Sequence, residues 1–188
     1  SGCVDHAVDM DNSSGNSFIT CRISGNGGSG FYVATNSRNN LFDENLITGN
    51  DKGIWFTSGS SYNSAVSNRI RSNGAAVRLS GGDTNRIYRN DISSNTLFIE
   101  VSAVSSGNQI VKNNITSGST GFSNGAGSSV TFTRNWFGTT DESAISAIYG
   151  DTASAFRPYR LGTVDTAEGA DTTAPAAPTG VTLDASTP

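Results

Sequence analysis

The 188-residue sequence predicts an all-β solenoid of about six stacked coils, closed by a short C-terminal helix. Three observations carry that prediction. A template recurs six times at intervals of 22 to 24 residues, two of its columns are apolar in every copy, and each template is followed by a stretch that alternates with period two.

The template is visible in NSFITCRISGN (16 to 26), NLFDENLITGN (40 to 50), NSAVSNRIRSN (63 to 73), NRIYRNDISSN (85 to 95) and NQIVKNNITSG (108 to 118), with a degenerate copy from Val130. One inward column reads Phe18, Phe42, Ala65, Ile87, Ile110, Phe132, and the other, five residues on, reads Ile23, Ile47, Ile70, Ile92, Ile115, Phe137. The alternating stretch places Phe31 and Val33, Ile54 and Phe56, Val77 and Leu79, Ile99 and Val101, then Phe122 on one face. Val8 and Met10 stand in the same register one period upstream. Alternation of this kind marks a half-buried strand. Between the apolar columns run two asparagine files, Asn45, Asn68, Asn90, Asn113, Asn135 and Asn26, Asn50, Asn73, Asn95. Asparagine accepts left-handed backbone and can form amide ladders when stacked, so each period reads as three short strands separated by Asn or Gly bends. A single period cannot bury its own apolar face, so neighbours must stack about 4.8 Å apart.

Composition agrees. Ser, Thr, Asn and Gly supply 89 of the 188 residues, while hydrophobic residues are 35% and charged ones 15%. Those residues are weak helix formers, which excludes a helical bundle. A net charge of -4, with no basic field, argues against nucleic acid as a partner, and no apolar run is long enough to insert in a membrane as a helix.

At the C-terminal side, NWFGTTDESAISAIYGD (135 to 151) predicts a helix capped by Thr140, with Asp141 and Glu142 in its first turn, an apolar face of Ala144, Ile145, Ile148 and Tyr149, and Gly150 as its stop. Trp136 reads either as a sugar platform or as a packing anchor for this cap. The expected organisation is coils over 1–138, truncated at the N-terminal side, a cap over 139–164, and over 165–188 a linker leading into a truncated module. The chain is thus expected to be a piece of a longer, multi-modular protein. An uncovered coil end invites end-to-end association, and the outward apolar file Ile19, Val66, Tyr88, Val111 invites lateral association.

The repeat resembles the right-handed parallel β-helix family, whose members include pectate lyases, polygalacturonases, alginate epimerases and many secreted proteins. The resemblance covers about residues 4 to 138 and implies right-handed coiling. The closing segment looks like the end cap of bacterial β-helix proteins, and APAAPTGVTLDAS resembles the entry to a fibronectin-III or immunoglobulin-like module. The family implies a secreted or cell-surface location and a polysaccharide or glycan partner; one superfold hosts many activities, so the chemistry must come from sites.

Glycoside hydrolysis needs two carboxyl groups facing one bond, and the acids here scatter among columns. The lyase alternative needs a basic residue and carboxylates or calcium. Its candidates are Arg89 and Lys112, which align with Arg134, and Asp91, with Arg86 nearby; Asp91 is the one calcium ligand at hand, and no calcium-binding repeat motif is present. No other cofactor is expected. The outward column of the alternating strand reads Asp9, Tyr32, Trp55, Arg78, Glu100, Ser123, and predicts Tyr32 and Trp55 as stacked neighbours flanked by charges. That pattern is either a carbohydrate-binding face or cross-strand packing. His6 is the only histidine, which leaves no histidine-based metal site or catalytic triad. Cys3 aligns with Asn26, five residues past Cys21, too far for a disulfide in a regular solenoid. The expectation is a noncatalytic secreted or surface scaffold or adhesin that contacts glycans; the alternative is a fragment of a polysaccharide lyase, glycoside hydrolase or epimerase.

Overall fold

The computed structural model describes residues 2–116, 121–124 and 129–149. The predicted helix stop at Gly150, the end of the cap, the linker and the downstream module lie outside them.

Three parallel sheets of six, six and five strands form the faces of a β-solenoid, and successive coils add one strand at a time to each. The first sheet holds β1 (Val8–Met10), β4 (Ser29–Val33), β7 (Lys52–Thr57), β10 (Ala75–Ser80), β13 (Leu97–Ala103) and β16 (Phe122–Asn124). The second holds β2 (Ser17–Ile19), β5 (Leu41–Asp43), β8 (Ser64–Val66), β11 (Arg86–Tyr88), β14 (Ser106–Val111) and β17 (Ser129–Thr133). The third holds β3 (Arg22–Ser24), β6 (Leu46–Thr48), β9 (Arg69–Arg71), β12 (Asp91–Ser93) and β15 (Asn114–Thr116). Strands pair at the repeat distance, so register follows from the period: Phe18 meets Phe42, Phe42 meets Ala65, and Ile47 meets Ile70.

The predicted inward columns form one continuous core. Phe42, Ile47, Ile54, Phe56, Ile70, Ile87, Ile92 and Ile110 are all inaccessible to solvent. At roughly 1.5 to 3 kcal/mol for each such side chain, this tube is the main source of stability. Phe98 is buried beside Ile99 although the alternation assigns it no inward place. Its column explains why. The residues aligned with it are Gly30, Gly53 and Ala76. A Cβ on Gly53 would lie 2.5 Å from the Ala76 carbonyl oxygen and 2.8 Å from Ile70 Cγ2, so the early coils have no room where the later coil inserts a ring against Phe132.

Asparagine does more than the sequence suggests, and in a different place. The starting residues of the template, Asn40, Asn63, Asn85 and Asn108, form a third buried file beside the two predicted ones. None of the buried ladder residues takes the left-handed conformation. That geometry belongs to the residue before each: Glu44, Ser67, Arg89, Lys112 and Arg134 in one file, and Gly25, Gly49, Ser72 and Ser94 in another. The reason is hydrogen bonding. Asn68 donates through Nδ2 to the Phe42 carbonyl one coil before it (2.8 Å) and to Asn90 Oδ1 one coil after it (2.9 Å). An inward amide therefore staples three coils, and the preceding residue absorbs the turn.

The last coil is covered by α1 (Glu142–Tyr149). Its cap is Asp141, not Thr140: the Asp141 carboxylate accepts the Ser143 N–H at 2.9 Å, and Thr139 Oγ1 accepts the Asp141 N–H at 3.1 Å. Ile145 is fully buried and joins the core. Phe137, 6.0 Å from Phe132, is also buried in the closing segment. Its neighbour Trp136 is half-buried and extends the outward column from Asn114.

Candidate functional site

On the first sheet the predicted outward column is in register throughout. Asp9 pairs with Tyr32, Tyr32 with Trp55, Trp55 with Arg78, Arg78 with Glu100 and Glu100 with Ser123. The rings are not stacked on each other. Tyr32 meets Trp55 edge-on, with centroids 5.0 Å apart and planes at 77°. The ring stacked on Tyr32 is His6, at 4.3 Å and 2°. Its Nδ1 accepts the Ser29 N–H at 2.8 Å, so the neutral ring carries its proton on Nε2, which lies 3.3 Å from the Asp5 carboxylate. Column alignment places His6 opposite Ser29, three residues short of Tyr32, and the ring reaches across that gap; no periodic signal could have found it.

Trp55 is flanked by cations. The Arg78 guanidinium stands 4.7 Å from its ring centroid and Lys52 Nζ 5.7 Å. Arg78 is itself held by Glu100 at 3.6 Å and by Ser102 Oγ at 3.0 Å. Trp55 Nε1 is buried with no hydrogen-bond partner among the described residues. The result is a compact patch of rings bounded by Asp9 at one end and the Arg78–Glu100 pair at the other.

The lyase candidates separate in space. Asp91 sits on the third sheet, 3.8 Å from Arg69, and shares a shallow depression with Glu44 and Arg69. Arg89 lies around the corner from Asp91, and its guanidinium turns over Tyr88 at 5.2 Å. Arg86 and Lys112 approach the same ring, at 4.4 Å and 5.7 Å. The second-sheet file runs Ile19, Asp43, Val66, Tyr88, Val111 in register, so an acid interrupts the expected apolar file near its N-terminal end, where Ile19 is exposed, and cations flank it at Tyr88. Among the described residues no group of three or more His, Cys, Asp or Glu side chains is gathered as a metal site. Cys3 and Cys21 are both free thiols, and the Cys3 N–H bonds to Asn26 Oδ1 as its alignment requires.

A family model described as the right handed beta helix region matches residues 6–157. The chain belongs to the right-handed β-helix family. The match begins at His6, within the first ring cluster, and runs through the capping helix. No curated protein and no solved structure matches the chain significantly. For a β-helix protein, family membership accounts for the coils, the ladders and the core; it assigns no chemistry to any outward side chain.

Proposed function

We propose that this β-helix is a noncatalytic scaffold module of a secreted or surface-attached protein, an adhesin-like element that contacts glycans on its first sheet. The carrying observation is the outward column Asp9, Tyr32, Trp55, Arg78, Glu100, which sets two rings between charged groups on consecutive coils. Aromatic rings offer apolar faces to sugar C–H groups, while the carboxylates and the guanidinium bond to hydroxyls. The coils hold these side chains at fixed spacing, so little freedom is lost on binding. Three of the described acids are paired with Arg or Lys: Asp91 with Arg69, Glu100 with Arg78 and Asp51 with Lys52.

A panel of neutral and acidic polysaccharides, assayed for binding and for unsaturated or reducing-end products, tests this reading. Binding without turnover, lost in Trp55→Ala, is the expected result. Turnover that disappears in Lys112→Ala or Arg89→Ala would overturn it in favour of a polysaccharide lyase or related enzyme.

A further inference from the structure

We infer that the second sheet is a self-association face, on which a second copy of this chain packs antiparallel about a two-fold axis. The sheets differ in what they turn outward. On the second sheet the column Ile19, Asp43, Val66, Tyr88, Val111 has four apolar members, and Leu41 adds a fifth apolar side chain in the outward column beside it. The matching column of the third sheet reads Arg22, Leu46, Arg69, Asp91, Asn114, with one. Ile19 is 49% exposed, and Leu41, Val66, Tyr88 and Val111 are each partly exposed. An apolar stripe rimmed by charge has the composition of a protein interface.

The charges select the partner and its orientation, because they change sign along the solenoid. Asp43 and Glu44 stand at the β5 level, whereas at β11 the Arg86 guanidinium lies 4.4 Å from the Tyr88 ring centroid. The corner beside the stripe repeats the change: Thr20, Glu44 and Ser67 come first, then Arg89, Lys112 and Arg134. A surface with opposite charges at its two ends is complementary to itself once one copy is turned end over end.

A two-fold axis along β8 performs that turn. It reverses the order of the coils and keeps the direction of the strands, which is the aligned way for two sheets to pack about 10 Å apart. Strand β5 then faces β11, and β2 faces β14. The Val66 side chains of the two copies meet at the axis, Ile19 faces Val111, and Asp43 faces the Arg86–Tyr88 pair, each of these last contacts occurring twice. A two-fold axis along the solenoid would instead set acid beside acid at β5 and cation beside cation at β11.

The face is small. Five strands about 4.8 Å apart and three residues long present on the order of 250 Å² per copy, against about 800 Å² for a stable complex. The dimer is therefore a weak one, with a dissociation constant on the order of 100 μM. It leaves the first sheet of both copies open, so it is independent of the glycan contact proposed there.

Sedimentation velocity of the whole chain between about 10 μM and about 1 mM should show a reversible monomer–dimer equilibrium. Asp43→Arg and Arg86→Asp should each weaken it at least about tenfold, because each sets like charges against one another twice. An equimolar mixture of these two variants should dimerise about as tightly as the native chain, since every acid then faces a cation; that recovery also shows that both variants are folded. Val66→Lys, which places two cations at the axis, should abolish the dimer. Arg71→Asp on the third sheet and Trp55→Ala on the first should leave it unchanged. A chain that stays monomeric to the highest concentration leaves the face to a different partner and overturns the assignment. Association unaffected by the single variants would place the contact at a coil end, and loss without recovery on mixing would exclude the antiparallel arrangement; either result overturns it as well.

Discussion

Asn68 Oδ1 accepts twice from Asn45: both the backbone N–H and the side-chain Nδ2 of Asn45 donate to it, each at 2.9 Å. Asn68 repeats the arrangement with Asn90, also at 2.9 Å. With the further bond from Nδ2 to the Phe42 carbonyl, the four hydrogen bonds an amide side chain can make are all formed in the interior. This relationship makes the ladder cooperative, because each amide satisfies groups in the coil on either side.

Replacing Asn68 by alanine should therefore destabilise the chain by about 3 kcal/mol or more, since two buried donors of Asn45 lose their acceptor and two further acceptors lose their donor. Asn68→Asp keeps the acceptors but loses both donors and buries a charge, so it should be at least as damaging. Urea denaturation of the two variants checks this. Loss of under about 1 kcal/mol in both would mean that water replaces the amide.

The close approach at Gly53 gives a second expectation. Gly53→Val should cost about 1 to 3 kcal/mol through overpacking against Ala76 and Ile70, while Ala76→Gly, one coil on, should cost less than about 1.5 kcal/mol. Thermal melts of both variants would show whether the column tolerates bulk only toward Phe98.

Corner geometry predicts a reciprocal pair. Gly49 and Ser72 occupy the same place in consecutive coils, with φ of 68° and 55°. Gly49→Ser should lower stability and Ser72→Gly should raise it, each by about 1 kcal/mol, because only glycine enters the left-handed region without a Cβ penalty. Equal and opposite shifts in the urea midpoint are the expected signature. Shifts of the same sign would place the strain elsewhere.

His6 ties the first described coil to the first-sheet patch. His6→Ala removes the acceptor of the Ser29 N–H and the ring stacked on Tyr32, and should cost about 1 to 3 kcal/mol. His6→Phe keeps the stack without the acceptor, and comparing the two in chemical denaturation separates the contributions. Glycan binding should weaken in both variants if Tyr32 needs His6 to hold its orientation. Unchanged binding would remove Tyr32 from the site.

Repetition is what makes the fold legible in the sequence. Once the period is known, stacking converts it into register, so the full series from Asp9 to Ser123 and both inward columns could be written from the sequence and stand as written in the structure. Features that depend on how a side chain leaves its strand could not. The period places Tyr32 beside Trp55 but not edge-on to it, and it carries no sign that His6 reaches three residues along to cover Tyr32. It places Asp91 two residues from Arg89 but not on the other side of a corner, where Arg69 becomes its partner. It marks asparagine at every bend but not that the residue before it absorbs the left-handed turn, which follows from the amide being needed inside. Periodicity sets backbone position one coil at a time; rotamer, corner geometry and the contacts made across a corner are settled only when the coils are stacked and each polar group must find its partner.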